Sequence, residues 1–538
     1  MRKTVGLALL AAASWGAAPG AEVFRYGRFE AAFTASRDYP NPLKEEVLVH
    51  FHGPEGASDD VPAFWAGGRT WKVRYSPDRT GAYRYHTEAS DGGLNGQTGQ
   101  FTVAPYQGRN DLYRNGGPHL SENRRYLVQG YNKPWFYLAD TAWNGALMAT
   151  AEEWSRYLND RAGKKFSAIQ FVMTPWRGGR QDEKGQEAFT GTDPIRINPA
   201  FFERMDARVN AMNDAGLVAA PVLLWAPLSR DRESPGAVLP AEQAILLARY
   251  MVARYGAHHV IWFLGGDGNY RGTNAERWKT IGRAVFPNGR SRRPVTLHPQ
   301  AMQSPWPEFK DEPWVDLFAC QSGQGGDAAK WRWNATQGPA ADWKIEPHRP
   351  VMDTEINSEG RLDSGGKPID AAAVRRAAWY SVLAAPPAGV AYGAHGIWSW
   401  SRKPEVPSEY PKSGTARPWQ ECLNYPGAKQ MTVLRDVLMS MEWWSMVPDQ
   451  SVFSSLKEDP EFRDYPMASR ASDHDFALLY LPAGPALELD LSAYKQDLKA
   501  VWIDPRTGLR KPAGTLHPAY GVQVPAPGEG DWLLLLRK

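Results

Sequence analysis

The sequence predicts an α/β fold, a (β/α)8 TIM barrel with a β-sandwich domain on either side of it. Strand-like and helix-like segments alternate between residues 106 and 444, which is typical of such a barrel. Residues 22–105 and 445–538 instead hold short alternating segments separated by Gly, Pro and Asp, which is typical of small β-sandwiches. In the middle region the connections from helix to strand are short, and several from strand to helix are long. Because the strand C-termini carry the active site of this fold, the long loops indicate the face that holds it.

Residues 1–21, MRKTVGLALLAAASWGAAPGA, predict a secretory signal peptide. Arg2 and Lys3 give a charged start, Val5 to Ala18 an apolar run, and small residues the end. The run is too short to span a membrane, and no later segment reaches about 18 uninterrupted apolar residues. We therefore expect a periplasmic or secreted protein without a membrane span.

The composition excludes several classes of function. Hydrophobic residues make up 43% of the 538 residues and charged residues 22%, which is ordinary for a folded soluble protein. The 62 basic residues nearly balance the 59 acidic ones and form no prominent run, so we expect no nucleic-acid partner. No HExxH or CxxC spacing occurs, so we expect neither a metal nor another cofactor. Export would permit a disulfide between the two cysteines, Cys320 and Cys422, and the sequence leaves their pairing open.

Eight strand candidates follow one another in the middle region, and we number them barrel strands 1 to 8. Several are continuous apolar runs, as expected for parallel strands that are covered on both faces. In chain order they are KPWFYLADTAW, FSAIQFVMTPW, LVAAPVLLWA, HVIWFLGGD, RPVTLHP, VDLFACQSG, RPVMDTEI and GVAYGAHGIWSW.

Amphipathic segments separate these strands. The clearest one predicts a helix with Asn198 as N-cap, Pro199 at its first position and Gly216 as its stop.

Four connections from a strand to the next helix are long. Long loops are uncommon unless they are functional. The long loops follow strands 2, 3, 6 and 8 and span residues 177–198, 227–240, 323–348 and 401–425.

Polar and aromatic residues at the strand C-termini should converge above the barrel mouth, where we expect them to bind substrate. Some have a structural alternative: Asp140 could hold the barrel through hydrogen bonds, Glu359 could contact Arg361, and any of the tryptophans could be core. We expect His298 and His395 to form hydrogen bonds rather than to ligate a metal. The predicted substrate-binding residues are Asp140, Trp143, Trp176, Trp225, His298, Gln321, Glu359, His395 and Trp398.

Asp267 and Glu355 end strands 4 and 7, which lie nearly opposite each other in an eight-stranded barrel. Two carboxyl groups across a cleft suit glycoside hydrolysis, in which one protonates the leaving oxygen and the other attacks or activates water. An aspartate at this place also commonly caps a helix or forms a turn. We expect Gly265 and Gly266 to let the backbone turn beneath a substrate.

Six motifs in one order resemble the apiosidase-like barrel proteins, a family catalogued as domain-of-unknown-function family 4038 that includes glycoside hydrolase family 140. The resemblance covers about residues 110–444, and the flanks resemble the DUF5060 β-sandwich and the collagen-binding-like domain often attached to such barrels. The motifs are LADTAWN, RYGAHHVIWFLGGD, VTLHP, CQSG, PVMDTEINSEG and YGAHGIWSW.

The resemblance implies a glycoside hydrolase that acts on a polysaccharide or branched glycan, and the predicted signal peptide implies that it is exported. It implies that Asp267 is the general acid/base and Glu355 the nucleophile of a retaining mechanism, with the carboxyl groups roughly 5–5.5 Å apart. The stretch around Glu355 lacks the Pro and Tyr that the family commonly has there. The alternatives are an inverting glycosidase, a non-catalytic carbohydrate-binding barrel, and an exported matrix-binding protein that uses its β-domains.

Overall fold

The structure is a computed structural model that describes residues 22–226, 231–287, 293–386, 389–456, 459, 461–462, 464–484 and 486–538. The predicted signal peptide, residues 1–21, lies outside the described residues, as does the start of the predicted loop 227–240. Within the described ranges, no helix is long and apolar enough to cross a membrane.

The middle of the chain forms a nearly closed parallel barrel, which confirms the predicted fold class. Its strands are hydrogen-bonded in the order 5-4-3-2-1-8-7-6, so that strands 5 and 6 form the seam. Asp316 N donates to Val295 O (2.9 Å) and bridges the start of this seam. Strands 1 to 8 span Tyr137–Thr141, Ala168–Val172, Val218–Trp225, Trp262–Gly268, Val295–Pro299, Phe318–Gln321, Val351–Glu355 and Gly389–Ala394.

Helices follow the barrel strands. Thr150 and Glu153 form a capping box at the start of the first long helix. Pro199 opens the second as predicted, but the Asn198 side chain donates to the Glu187 carbonyl (3.1 Å) instead of capping. The α-helices of the barrel region are Asp111–Asn115, Gly145–Met148, Ala151–Gly163, Pro199–Asp214, Pro235–Val238, Ala241–Tyr255, Thr273–Val285, Trp306–Phe309, Ala328–Arg332, Gly338–Asp342, Ala371–Ala384, His395–Trp398, Trp419–Cys422 and Pro426–Met439.

Two predictions about the barrel region need correction. The segment 323–348 is helical over much of its length rather than a long loop, because Trp333–Gln337 forms a π-helix between the two short α-helices there. The predicted strand 1 is two elements: Lys133–Trp135 pairs antiparallel with Leu127–Gln129, and the barrel strand begins only at Tyr137. Pro134 lacks the amide hydrogen that an interior strand needs, which places it on an edge strand.

Each flank contains two mainly antiparallel sheets, as expected for β-sandwiches. The N-terminal sheets enclose aromatic side chains, among them Phe29, Phe51 and Phe101. Their strands, in sheet order, are Glu22–Phe24, Thr98–Ala104, Gly81–Ala89, Val47–His52 and Ser58–Pro62, then Phe29–Thr34, Thr70–Tyr75 and Phe64–Gly67; the first pair is parallel.

The C-terminal sheets enclose leucines together with Trp502 and Trp532. Arg375, on the helix after strand 7, donates to both oxygens of Asp531 at 2.6 Å, so a buried ion pair joins this domain to the barrel. The strands, in sheet order, are Met446–Pro448, Met467–Ala471, Phe476–Leu481, Trp532–Arg537, Leu498–Ile503 and Arg510–Leu516, then Ala486–Leu489 and Val522–Pro525.

Candidate active site

Asp267 projects from the end of strand 4 on a strained backbone. Its φ is +51°, a left-handed conformation that aspartate tolerates better than most residues. Gly265 and Gly266 do not supply the turn, because neither has a positive φ. A Cβ on either one would instead meet an aromatic ring, at 2.7 Å from Trp278 and 2.4 Å from Trp225 respectively. The expectation that these glycines let the backbone turn beneath a substrate is therefore wrong. They allow tryptophans to pack against the strand, and Asp267 itself makes the turn.

The surroundings of Asp267 favour its protonated form. Burial, and then the charge of Glu355, raises the pKa of Asp267 to about 6. His298, Arg177 and Arg361 oppose the shift without cancelling it. A carboxyl group that holds its proton near neutral pH is suited to general acid catalysis.

Glu355 ends strand 7, and its two carboxylate oxygens have different partners. His298 Nε2 lies 3.1 Å from Oε2, and Gln324 Nε2 donates to Oε1 at 3.1 Å. The Glu355 side chain is 12% exposed, so it still reaches the mouth. Beneath it, buried Asp353 accepts from Glu355 N (3.3 Å) and from Ser381 Oγ (2.8 Å). The Glu355 carboxylate is therefore held in one orientation from two sides.

Gln324 is a site residue that the sequence did not reveal. Besides contacting Glu355, its Oε1 accepts from Ser358 N (2.7 Å), so one side chain joins the loops after strands 6 and 7. Gly325 N reinforces this junction by donating to Asn357 Oδ1 at 2.7 Å. The pattern QSGQGG carries no sign of these contacts, because they form only once strands 6 and 7 are adjacent.

The structure brings four predicted substrate-binding residues together in one cluster, and one of them, His298, contacts Glu355. Trp225 is central: its ring centroid lies 5.2 Å from that of Trp143, 4.6 Å from that of Trp176 and 6.0 Å from that of His298. Trp176 is completely buried, and Trp143 and Trp225 are at most 5% exposed. These rings therefore line the site mainly by packing on one another and present little free surface.

Tyr410 forms a second aromatic group at the mouth and was also missed. The guanidinium of Arg177 lies 4.5 Å from its ring centroid and that of Arg361 6.0 Å, while the predicted Trp398 lies edge-on at 5.3 Å. Burial, and then the charge of Asp267, raises the pKa of Tyr410. The long loop after strand 8 thus brings a phenol close to the candidate acid. Its length was visible in the sequence, but which of its residues turns inward was not.

Gln321 lies beside the nucleophile candidate, since it pairs with Glu355 across strands 6 and 7. The residue is 6% exposed, and its side-chain Oε1 has no hydrogen-bond partner among the described residues. A buried amide oxygen without a partner is costly, so a ligand hydroxyl at this place would be favourable. This favours the predicted contact with substrate.

The remaining predicted residues have protein partners of their own. Asp140 is fully buried and accepts from Arg161 Nε (2.6 Å) and Tyr157 Oη (2.7 Å), which favours its structural alternative. Glu359 accepts from Tyr392 Oη (2.7 Å) and Gly427 N (3.0 Å) and not from Arg361.

His395 is also buried in a structural contact, with its Nε2 3.0 Å from Ser413 Oγ. Burial, and then the charge of Arg361, lowers the pKa of His395 to about 4, so this ring is neutral at ordinary pH. Cys320 and Cys422 are both free and buried, so the disulfide that export would permit is not formed. Among the described residues, no group of three or more His, Cys, Asp and Glu is arranged to hold a metal.

Comparisons with known families match all three parts of the chain. The "Apiosidase-like, catalytic domain" model matches residues 121–445. DUF5060, a domain of unknown function, matches residues 22–90. The "Putative collagen-binding domain of a collagenase" matches residues 447–537. A comparison with curated proteins gave no match.

Solved structures share the fold. A glycoside hydrolase is 23% identical with a TM-score of 0.68, covering 78% of this chain and 97% of its own. A family 5 glycoside hydrolase from Bacteroides vulgatus is 22% identical with a TM-score of 0.68, covering 79% of this chain and 93% of its own. A "putative glycoside hydrolase" from the same organism is 17% identical with a TM-score of 0.71, covering 96% of this chain and 99% of its own. With the catalytic-domain match over most of the barrel, the chain belongs to the apiosidase-like family of glycoside hydrolases.

Proposed function

We propose that this protein is a retaining glycoside hydrolase that cleaves a polysaccharide or branched glycan, with Asp267 as general acid/base and Glu355 as nucleophile. The contrast between these two carboxyl groups at one barrel mouth carries the proposal. Burial and the neighbouring charge raise the pKa of Asp267 to about 6, which suits a proton donor. The Glu355 carboxylate is fixed by contacts on both oxygens and remains partly exposed, which suits an attacking group.

The reaction would run in two displacements. In the first, a Glu355 oxygen attacks the anomeric carbon while Asp267 gives its proton to the glycosidic oxygen, which departs with the bonding electron pair. In the second, Asp267 takes a proton from water, whose oxygen attacks the same carbon, and the ester electrons return to Glu355. The enzyme then regains its starting protonation, with Asp267 protonated and Glu355 ionised.

We place the bound sugar against Gln321 and the edges of Trp143 and Trp398. Oε1 of Gln321, which has no hydrogen-bond partner in the described part of the chain, supports a sugar hydroxyl beside Glu355. Trp143 and Trp398 lie near His298 and Tyr410 respectively, on the two aromatic groups of the mouth.

The test first identifies a substrate and then measures the effect of substituting Glu355. The purified protein is incubated with pectic, arabinan and other branched polysaccharides, and the products are analysed by chromatography. Glu355→Ala should abolish release of the product found, and added azide should restore turnover by forming a glycosyl azide of inverted configuration. Proton NMR of the product's anomeric centre early in the reaction of the unaltered enzyme should show retained configuration.

Other results would favour the alternatives. Inverted configuration in the first product would indicate an inverting glycosidase with water as nucleophile. Binding of a polysaccharide without any hydrolysis, unchanged in Glu355→Ala, would indicate a carbohydrate-binding barrel. Turnover unaffected by Glu355→Ala would end the proposed mechanism.

We also propose that residues 1–21 direct export and that residues 22–105, 106–444 and 445–538 are the three domains of the mature protein. The charged start and apolar run of the N-terminus support export. Expression in a bacterial host followed by N-terminal sequencing of the periplasmic fraction tests it, with cleavage expected near Ala21. Recovery of only uncleaved protein from the cytoplasm would contradict it.

A further inference from the structure

His298 bridges two consecutive residues of strand 7. Its Nδ1 lies 3.0 Å from Thr354 Oγ1, and its Nε2 lies 3.1 Å from Glu355 Oε2. The imidazole is fully buried, and the rings of Trp143 (5.4 Å) and Phe263 (6.2 Å) pack against it. Both ring nitrogens are thus occupied by protein groups, so His298 is placed to act on Glu355 rather than on substrate.

The hydrogens of this bridge can be counted. Thr354 Oγ1 also lies 3.0 Å from the carbonyl oxygen of Cys320, which can only accept. The single hydroxyl hydrogen of Thr354 is used in that bond, so Thr354 Oγ1 must accept from His298. Nδ1 of His298 therefore carries a hydrogen.

The second nitrogen then determines the state of the pair. If the ring were neutral, Nε2 would point a lone pair at Glu355 Oε2, and two lone pairs at 3.1 Å would repel. A proton between them removes the conflict. Imidazole is a stronger base than a carboxylate, and Gln324 already donates to the other oxygen of Glu355.

We propose that His298 is a positioning residue that carries hydrogen on both ring nitrogens, and that Thr354 enforces this state by accepting from Nδ1. The imidazolium fixes the nucleophile and supplies its counter-charge. The titratable and charged groups around the pair are Glu355 itself, Asp353 beneath it, and Asp267, on which Arg177 and Arg361 also act. This inference rests on the proposed role of Glu355 as nucleophile.

The positive charge of the imidazolium would affect the two displacements differently. Glu355 is an anion before the first displacement and after the second, but a neutral ester between them. An imidazolium attracts the anion more strongly than the ester, so it favours the departure of Glu355 in the second step. The proton itself remains on His298, and the only covalent bonds that change are those already described. Loss of the imidazolium should therefore slow hydrolysis of the glycosyl-enzyme more than its formation.

Thr354 offers a matched pair of substitutions for the test. Thr354→Val keeps the shape but removes the acceptor, and Thr354→Ser keeps the hydroxyl. Nitrogen-15 NMR of the histidine rings, with the His298 signals assigned by their loss in His298→Gln, reports which nitrogens carry hydrogen. We expect both nitrogens protonated in the unaltered enzyme and in Thr354→Ser, and only Nε2 in Thr354→Val. A neutral His298 ring in the unaltered enzyme would overturn the inference.

Kinetics with a glycoside found in the substrate screen give a second readout. Thr354→Val should lower kcat about tenfold, the scale of one hydrogen bond to a charged group, and lower KM with it because the glycosyl-enzyme accumulates. Mass spectrometry of the protein quenched during turnover should show that adduct on the peptide containing Glu355, and Thr354→Ser should restore kcat.

The two proposals fail in different ways. Absence of any adduct on Glu355, even with 2-deoxy-2-fluoro glycosyl fluorides, would count against the proposed nucleophile. An adduct on Glu355 together with equal kcat in Thr354→Val and Thr354→Ser would overturn the role of His298 alone.

Discussion

Asp140 and Asp267 end barrel strands 1 and 4, and they show how one residue type at equivalent places takes two roles. Asp140 is fully buried and bonded to Arg161 and Tyr157, so its charge is matched inside the protein. Burial is the largest influence on the pKa of both aspartates and raises it, but Arg161 and Tyr157 oppose the rise by direct contact with Asp140, whereas the described cations around Asp267 act only at a distance. The two aspartates differ in the side chains that contact them, not in their position along the strand. A matched carboxylate supports the fold, whereas an unmatched one is available for chemistry.

The largest expected effect is on activity at Asp267. Asp267→Asn keeps the size and tolerates the left-handed backbone, but it cannot give a proton, so kcat/KM should fall about 1,000-fold. Initial rates on the substrate identified by screening measure this. Substrates with a very acidic leaving group should lose much less, since they need no proton. If Asp267→Asn keeps more than a tenth of its activity on ordinary substrates, the contrast between the two aspartates has no catalytic meaning.

The next effect is on stability at Asp140. Asp140→Asn leaves the fully buried Arg161 guanidinium without its buried charge partner and with only the partly exposed Asp160, so the free energy of unfolding should fall by about 3 kcal/mol. Denaturant unfolding followed by tryptophan fluorescence measures it. Asp160→Asn is the matched control, because Asp160 also contacts Arg161 but is 22% exposed and should lose at most about 1 kcal/mol. Loss of kcat in a fully folded Asp140→Asn protein would instead indicate a role in catalysis.

The sequence predicted the barrel and its candidate acid and nucleophile because both depend on local patterns. An apolar strand that ends in a carboxylate is visible in HVIWFLGGD and VMDTE, and the fold then places both ends at one mouth. The role of Asp140 depended on a partner 21 residues away. Tyr157 and Arg161, four residues apart on the following helix, were a usable signal, because such a spacing places both on one face.

Contacts between loops could not be predicted from the sequence. Gln324 and Tyr410 reach the site only through the folded paths of the loops after strands 6 and 8. Trp176 and Trp225 were predicted to bind substrate, with a place in the core as the alternative, and their packing on each other hides most of their surface. How deeply a ring is buried depends on which strand packs beside it, and a single sequence does not show which strand that is.

A smaller expected effect is on the free energy of unfolding, which ionisation of Asp267 lowers. Its pKa is raised from 3.8 to about 6, so ionisation destabilises the folded state as pH rises through that range. Asp267→Asn should therefore raise the free energy of unfolding by about 1–2 kcal/mol at pH 8, a value reduced for partial solvent exposure. The gain should vanish below pH 3.8, where the folded and unfolded chains both carry the protonated acid. Urea unfolding at several pH values measures this, and a gain independent of pH would show that ionisation is not its cause.

The smallest effect tests whether the distant cations tune Asp267. Arg177 lowers the pKa of Asp267, so Arg177→Gln should raise that pKa and move the alkaline limb of the kcat/KM profile to higher pH. Arg177→Lys keeps the positive charge and should leave the limb in place. Arg177 also lies over Tyr410, so a rise in KM in both variants would report the lost stacking separately. If the limb stays fixed in Arg177→Gln while KM rises, Arg177 shapes the mouth without tuning the acid. The pKa of Asp267 would then be set by burial, by Glu355, and by His298 and Arg361.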